Sequence, residues 1–169
     1  MARRNSLREF QEHLARRLSE ARSTDRRGLL SFSAGNENWL IRLADAGEIL
    51  PPPPLATVPR TRDWYRGLVN VRGTLYSVID FARLHGDERT ATTGQSRLLL
   101  IGTRSGIHSA LLVSNSSGLR SEEDFEHAGT EDSRPWVERC LRDAQGHVWL
   151  LIDITRLLAS PDFLDANLP

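Results

Sequence analysis

Lysine is absent from this chain of 169 residues; all 22 basic residues are arginine. That excludes a Schiff-base lysine, a lysine general base and the lysine of a phosphate-binding P-loop. Cysteine is nearly absent too: Cys140 stands alone, which excludes an internal disulfide and a multi-thiolate zinc site. No long hydrophobic run occurs. The longest is Val148-Trp149-Leu150-Leu151-Ile152, far short of the roughly 20 apolar residues needed to cross a bilayer. The positive start Met1–Ser6 leads into no apolar stretch of a secretory signal. These absences predict a cytoplasmic chain with no direct membrane insertion.

Catalytic signatures are missing as well. No serine sits in G-x-S-x-G and no glycine-rich phosphate loop is found. His13, His85, His108, His127 and His147 are scattered without metal-ligand spacing. Cys140 lies near Arg139 and Arg142, which would lower a thiol pKa, but it has no evident base and reads as inert. The expectation is a protein that is not an enzyme, with no catalytic residue, no metal and no cofactor.

What is present is a globular composition, 39% hydrophobic and 26% charged, in a length that suits one domain or two small subdomains sharing a core. Net charge is zero but unevenly placed. Residues 1–27 hold eight arginines against four acids, and the remainder is correspondingly acidic. Glu122-Glu123-Asp124 with Glu126, Glu131 and Asp132 forms an acidic cluster, read as a solvated loop, with a docking patch as the alternative.

Residues 6–22 carry Leu7, Phe10, Leu14 and Leu18 on one stripe at a 3.6-residue period, behind Ser6 and Glu9 at capping-box spacing. This predicts a helix whose stripe packs on its own domain or docks a partner. From Leu29 the period changes to two. Leu30, Phe32 and Ala34 precede the turn-like Gly35–Asn38, and Trp39, Ile41 and Leu43 follow it, as in a hairpin. Pro51–Pro54 is a stiff extended break. Gly67–Val71 and Thr74–Asp80 read as strands around a turn at Arg72-Gly73, and residues 86–96 as a polar loop. Strands are also predicted at Leu98–Ile101, Ile107–Val113 and His147–Ile154.

The pattern then repeats itself. Leu75–Leu84 aligns without gaps to Val148–Leu157, both containing Asp-x-x-Arg-Leu, and the hairpin Leu29–Leu43 aligns to Leu98–Leu112. Two copies of a strand-rich unit of about 70 residues predict two small β-barrels packed together, because closure protects strand edges. Asp80 and Asp153, at matching strand ends, are expected to cap the following turn rather than to form an acid–base pair.

Gly67-Leu68-Val69-Asn70-Val71-Arg72-Gly73, running into Leu75–Asp80, resembles the CheW family signature, a G-[VL]-x-N-[LV]-R-G turn followed by an apolar strand ending in Asp. Gly47-Glu48-Ile49 resembles the family's V-x-E-I step, and Thr57-Val58-Pro59 with Trp64 and Gly67 its lead-in. The chain departs from the pattern at Ala46, Arg62 and Ser77, and the second V-D-x-V step reads Val113-Ser114-Asn115-Ser116. The resemblance implies an all-β fold of two SH3-like five-stranded barrels. With the readings above it gives an N-terminal helical extension (1–27), a CheW-like domain (28–163) with a short C-terminal helix, and a tail (164–169).

It also implies a non-catalytic adaptor in chemotaxis signalling. Such a protein bridges the cytoplasmic tip of a methyl-accepting chemoreceptor and a CheA-type histidine kinase. The N-terminal extension and the ending Leu158–Asp165 are similar to the adaptors of type IV pilus twitching systems; a flagellar chemotaxis adaptor is the alternative. A nucleic-acid-binding barrel is a further reading, but the arginines of the start are interspersed with acids and have no aromatic platform.

The implied partner-binding set is Arg72, Glu48, Asn70, Val71 and Gly73. Arg72 is the leading residue, because a turn guanidinium binds carboxylates or carbonyls bidentately; an internal cap bond is its alternative role. Glu48 either joins the same groove or pairs internally with Arg66 or Arg72. Asn70 reads as turn-shaping. Trp64, Tyr65 and Trp136 read as exposed loop aromatics that cover barrel ends or anchor partners.

Overall fold

The computed structural model describes residues 28–102 and 106–167. The predicted helix over 6–22 lies outside them. Eleven strands follow in order: β1 (Gly28–Ala34), β2 (Glu37–Arg42), β3 (Ala46–Leu50), β4 (Tyr65–Val71), β5 (Thr74–Asp80), β6 (Arg97–Ile101), β7 (Ser109–Val113), β8 (Asn115–Ser121), β9 (Phe125–His127), β10 (Val137–Asp143) and β11 (Val148–Ile152). Three short helices are α1 (Phe81–Leu84), α2 (Ile154–Ala159) and α3 (Pro161–Leu164).

The strands form two sheets, ordered β8-β1-β2-β11-β10-β9 and β3-β6-β7-β5-β4. In the first, β8 and β9 are two ends of one bent segment, joined by the 3-10 turn Glu122–Asp124. Taken as one, they give each sheet five strands in the same order. The second sheet closes where Ala56 and Leu68 exchange backbone hydrogen bonds of 2.9 and 2.8 Å. Gly67 permits that approach. Its φ is +125°, and a Cβ there would stand 2.2 Å from the Ala56 carbonyl oxygen.

The two repeats do not each form a barrel. They exchange hairpins. The β1–β2 hairpin of the first repeat pairs with β8 and, in parallel, with β11 of the second. The β6–β7 hairpin of the second pairs with β3 and, in parallel, with β5 of the first.

Alternation explains the unbroken apolar runs. On β6, Leu98 and Leu100 fill the interior of one barrel, while Leu99 and Ile101 face a core shared between the barrels. On β7, Ala110 and Leu112 turn inward and Leu111 and Val113 toward the shared core. The other barrel is filled by Leu29, Leu40, Leu141, Trp149 and Leu151. Phe81 of α1 and Ile154, Leu157 and Leu158 of α2 complete the shared core.

Both helices start as the repeat predicts. Asp80 caps α1, accepting from Arg83 N, and Asp153 caps α2, accepting from Arg156 N. The two differ in depth. Asp80 is fully buried and also accepts from Arg66 Nη1 (2.9 Å), Thr90 N (2.9 Å) and Thr90 Oγ1 (2.7 Å). Thr90 thereby anchors the polar loop of residues 86–96.

Several expectations are corrected. Trp64 and Trp136 are not exposed; both belong to the shared core, where Trp136 stacks on Trp39 with centroids 5.3 Å apart. Tyr65 is half-buried on β4, its hydroxyl 3.1 Å from Ser77 Oγ. The acidic cluster is exposed at Glu123, Asp124, Glu126 and Glu131, as a solvated segment would be, but it is ordered: Ser121 and Asp124 form a capping box, Glu122 pairs with Arg139 at 3.2 Å and Asp132 with Arg134 at 2.7 Å. Cys140 is buried, and burial pushes its thiol up despite the neighbouring arginines. Strands β3, β8, β9 and β10 are absent from the sequence reading. Of the expected tail 164–169, Leu164 ends α3 and Asn167 forms a bridge with Thr61.

Candidate partner-binding site

The β4–β5 hairpin places the signature residues. Val71 pairs with Thr74, leaving a two-residue turn, Arg72-Gly73, with φ of 51° and 88°. Two positive φ values in a two-residue connection are a type I′ turn, whose twist matches that of the flanking strands. Asn70 shapes it, its Oδ1 accepting from Gly73 N at 2.8 Å. Nothing lies within 4 Å of where a Gly73 Cβ would stand, so the turn projects into open space. Val71 packs its half-buried side chain against the second sheet's interior.

Arg72 is in the left-handed region that costs a side-chain-bearing residue about 1–2 kcal/mol. Asn or Gly suits this position better. The side chain is 81% exposed, and its Nη2 stands 2.9 Å from Glu48 Oε1 on β3. Glu48 therefore pairs with Arg72 and not with Arg66, which goes to the buried Asp80. An ion pair this open is worth about 0–1 kcal/mol. A partner carboxylate can displace Glu48 at small cost, and a partner cation can recruit it. Nearby positions on the same strands add apolar surface: Leu75 is 55% exposed and Ile49 38%.

The structure thus brings Arg72, Glu48, Asn70 and Gly73 together at one corner of the second sheet, with Val71 anchoring the turn from within. The matching connection of the first sheet, the four residues 144–147, is built differently. Asp143 there is buried, which alone would raise its pKa. Hydrogen bonds from Trp149 Nε1 (2.9 Å) and from the backbone of His147 (2.9 Å) and Gln145 (3.0 Å) hold it instead at about 2. That carboxylate is consumed by structure, and the turn carries no arginine at its tip.

A model of the CheW-like domain matches residues 28–162. The chain belongs to the CheW-like domain family. Among solved CheW structures, that of the scaffolding protein TtCheW from Thermoanaerobacter tengcongensis is similar to this chain. Its TM-score is 0.67 at 18% identity, over 80% of this chain and 94% of that one, a likeness of fold. Among curated proteins, the protein PilI of Pseudomonas aeruginosa is 28% identical over 72 residues. That stretch is 43% of this chain and spans only 40% of PilI's length. As a CheW-like protein the chain has the all-β, two-sheet architecture its repeats predicted.

Proposed function

We propose that this CheW-like chain is a non-catalytic adaptor that couples the cytoplasmic tip of a chemoreceptor to a CheA-type histidine kinase, in a type IV pilus twitching system. Membership of a family of chemotaxis scaffolds supports the general role. The partial likeness to PilI favours the pilus system over a flagellar one. No helix among the described residues is long and apolar enough to cross a membrane, and the adaptor's place is at the cytoplasmic face of a receptor array.

The observation that carries the reading is the knuckle at Arg72: a strained, almost fully exposed guanidinium at the tip of a turn that folding alone would give to Asn or Gly. Its output is a coupling between two partners, of roughly 1–3 kcal/mol in typical systems. Many weak contacts of this kind become effective in a multivalent array. The nucleic-acid alternative finds no support here, because residues 28–169 carry fourteen arginines against eighteen acids.

The test is co-sedimentation of the purified chain with receptor fragments and the cognate kinase. Arg72→Glu is expected to weaken receptor or kinase association by about tenfold or more. Arg72→Asn relieves the turn, so it should fold at least as well as the wild type yet show the same binding loss. Wild-type binding by both variants would refute the assignment.

A further inference from the structure

The two repeats meet again at the opposite end of β4. Arg62-Asp63-Trp64 precedes β4 and Arg134-Pro135-Trp136 precedes β10, in matching geometry. The Arg62 and Arg134 carbonyls accept from Tyr65 N and Val137 N, both at 3.0 Å. The Trp64 and Trp136 carbonyls accept from Asp80 N (2.7 Å) and Asp153 N (2.9 Å). The two Arg-x-Trp segments wall a cavity of about 540 Å³, within the roughly 300–1,000 Å³ of small-ligand pockets. Seven residues of β4 separate it from the Arg72 turn, about 23 Å of extended chain, so it is a separate site.

His85 lines this cavity. Its side chain is only 3% exposed, and its Nε2 has no hydrogen-bond partner. Nδ1 lies 3.7 Å from Glu37 Oε2, too far for a good bond. Burial pushes the imidazole below its ordinary 6.5, which leaves it neutral with one ring nitrogen as an acceptor. Neither arginine has charge to spare. Arg62 is held by the Asp165 carboxylate (2.9 Å) and carbonyl (2.8 Å). Arg134 is gripped by both oxygens of Glu37 (2.8 Å each) and by Asp132 (2.7 Å). Asp162, also in the lining, has no ion pair among the described residues. Asp162 and Asp165 line the cavity itself, while Glu37 and Asp132 hold Arg134 from outside the lining, so two cations stand among four carboxylates.

We propose that this cavity receives a cationic hydrogen-bond donor, the guanidinium or ammonium end of an arginine or lysine side chain offered by a partner protein. Asp162 supplies the unmatched charge, His85 the acceptor and Trp64 an aromatic wall that favours a cation, while the Trp136 ring already carries the Arg134 guanidinium at 5.3 Å. An anion would find both lining arginines already paired and Asp162 unmatched. A free amino acid is excluded as the ligand because its α-carboxylate would find both arginines already paired.

Nitrogen–proton correlation spectra of the full chain test this, with N-acetyl-arginine amide and N-acetyl-lysine amide as probes. Saturable shifts of the Trp64 and Trp136 indole signals are expected. The neutral isostere N-acetyl-citrulline amide should bind about fivefold more weakly, the effect of one solvent-accessible ion pair. Asp162→Asn, an exposed change that leaves the melting temperature alone, should weaken the arginine probe by a similar factor, and His85→Phe should weaken it while keeping the packing. Equal affinity for citrulline, preference for N-acetyl-glutamate amide, or insensitivity to Asp162→Asn would overturn the cation site. Free arginine binding tenfold tighter than its blocked amide would overturn the assignment to a protein side chain.

Discussion

Asp80 and Asp153 share one motif and one capping role, yet their removal should have very different consequences. In Asp80→Ala, Arg66 (17% exposed), Thr90 N and Thr90 Oγ1 lose their acceptor in a fully buried site. Breaking a buried pair by deleting one partner costs about 3–5 kcal/mol, because the surviving charge stays desolvated. Asp153 is 26% exposed at its side chain, bonds Arg156 N at 3.0 Å and lies 3.3 Å from Arg156 Nε. Losing such a cap costs about 1 kcal/mol. Urea denaturation followed by circular dichroism separates the two directly. At roughly 2–4 °C per kcal/mol for a chain of this size, Asp153→Ala should lower the melting temperature by only about that much, while Asp80→Ala should lower it by about 10 °C or more. Equal losses would mean that the Asp80 cluster contributes no more than an ordinary cap, and the account of this core would be wrong.

Two further outcomes follow from the geometry. Gly67→Ala places a methyl 2.2 Å from the Ala56 carbonyl in a left-handed backbone and should cost about 3 kcal/mol in urea melts. Gly73→Ala, with open space around it, should cost only about 1 kcal/mol of backbone strain. Stability should also decline in mild acid. The His85 imidazole is lowered in the fold, so the unfolded chain takes up the proton first; stability is complete above pH 6.5 and falls as pH drops from there toward the folded value. Melting temperatures of His85→Phe across pH 5–7.5 should lose that slope.

The hairpins and the knuckle were legible because their signals are local: alternation in Leu30–Ala34 and Trp39–Ile41, an Asn two residues before Arg72, a glycine at the second turn position. Pairing between distant strands has no local signal. Either repeat could close on itself by pattern alone, yet β2 lies beside β11 and β5 beside β7. Strand β8, Asn115-Ser116-Ser117-Gly118-Leu119-Arg120-Ser121, gives no apolar alternation because none of its residues is buried, so polar residues and glycine are tolerated there. Trp64 and Trp136 read as surface because Arg62 and Asp63, and Arg134 and Pro135, are their chain neighbours. The signal of their equivalence is the Arg-x-Trp spacing itself, which recurs at nearly the interval between Leu75 and Val148.

The lending of central strands between halves has a thermodynamic corollary. A polypeptide holding one repeat would have a two-strand gap in its sheet and two strands with nowhere to go, and only a second copy could fill both. Such a half-molecule is expected to fold only as a dimer. Joining the halves through residues 85–96 makes that encounter intramolecular, at an effective concentration on the order of millimolar. It also means that neither lobe is made from one half of the chain alone, so the two are expected to unfold in a single cooperative step.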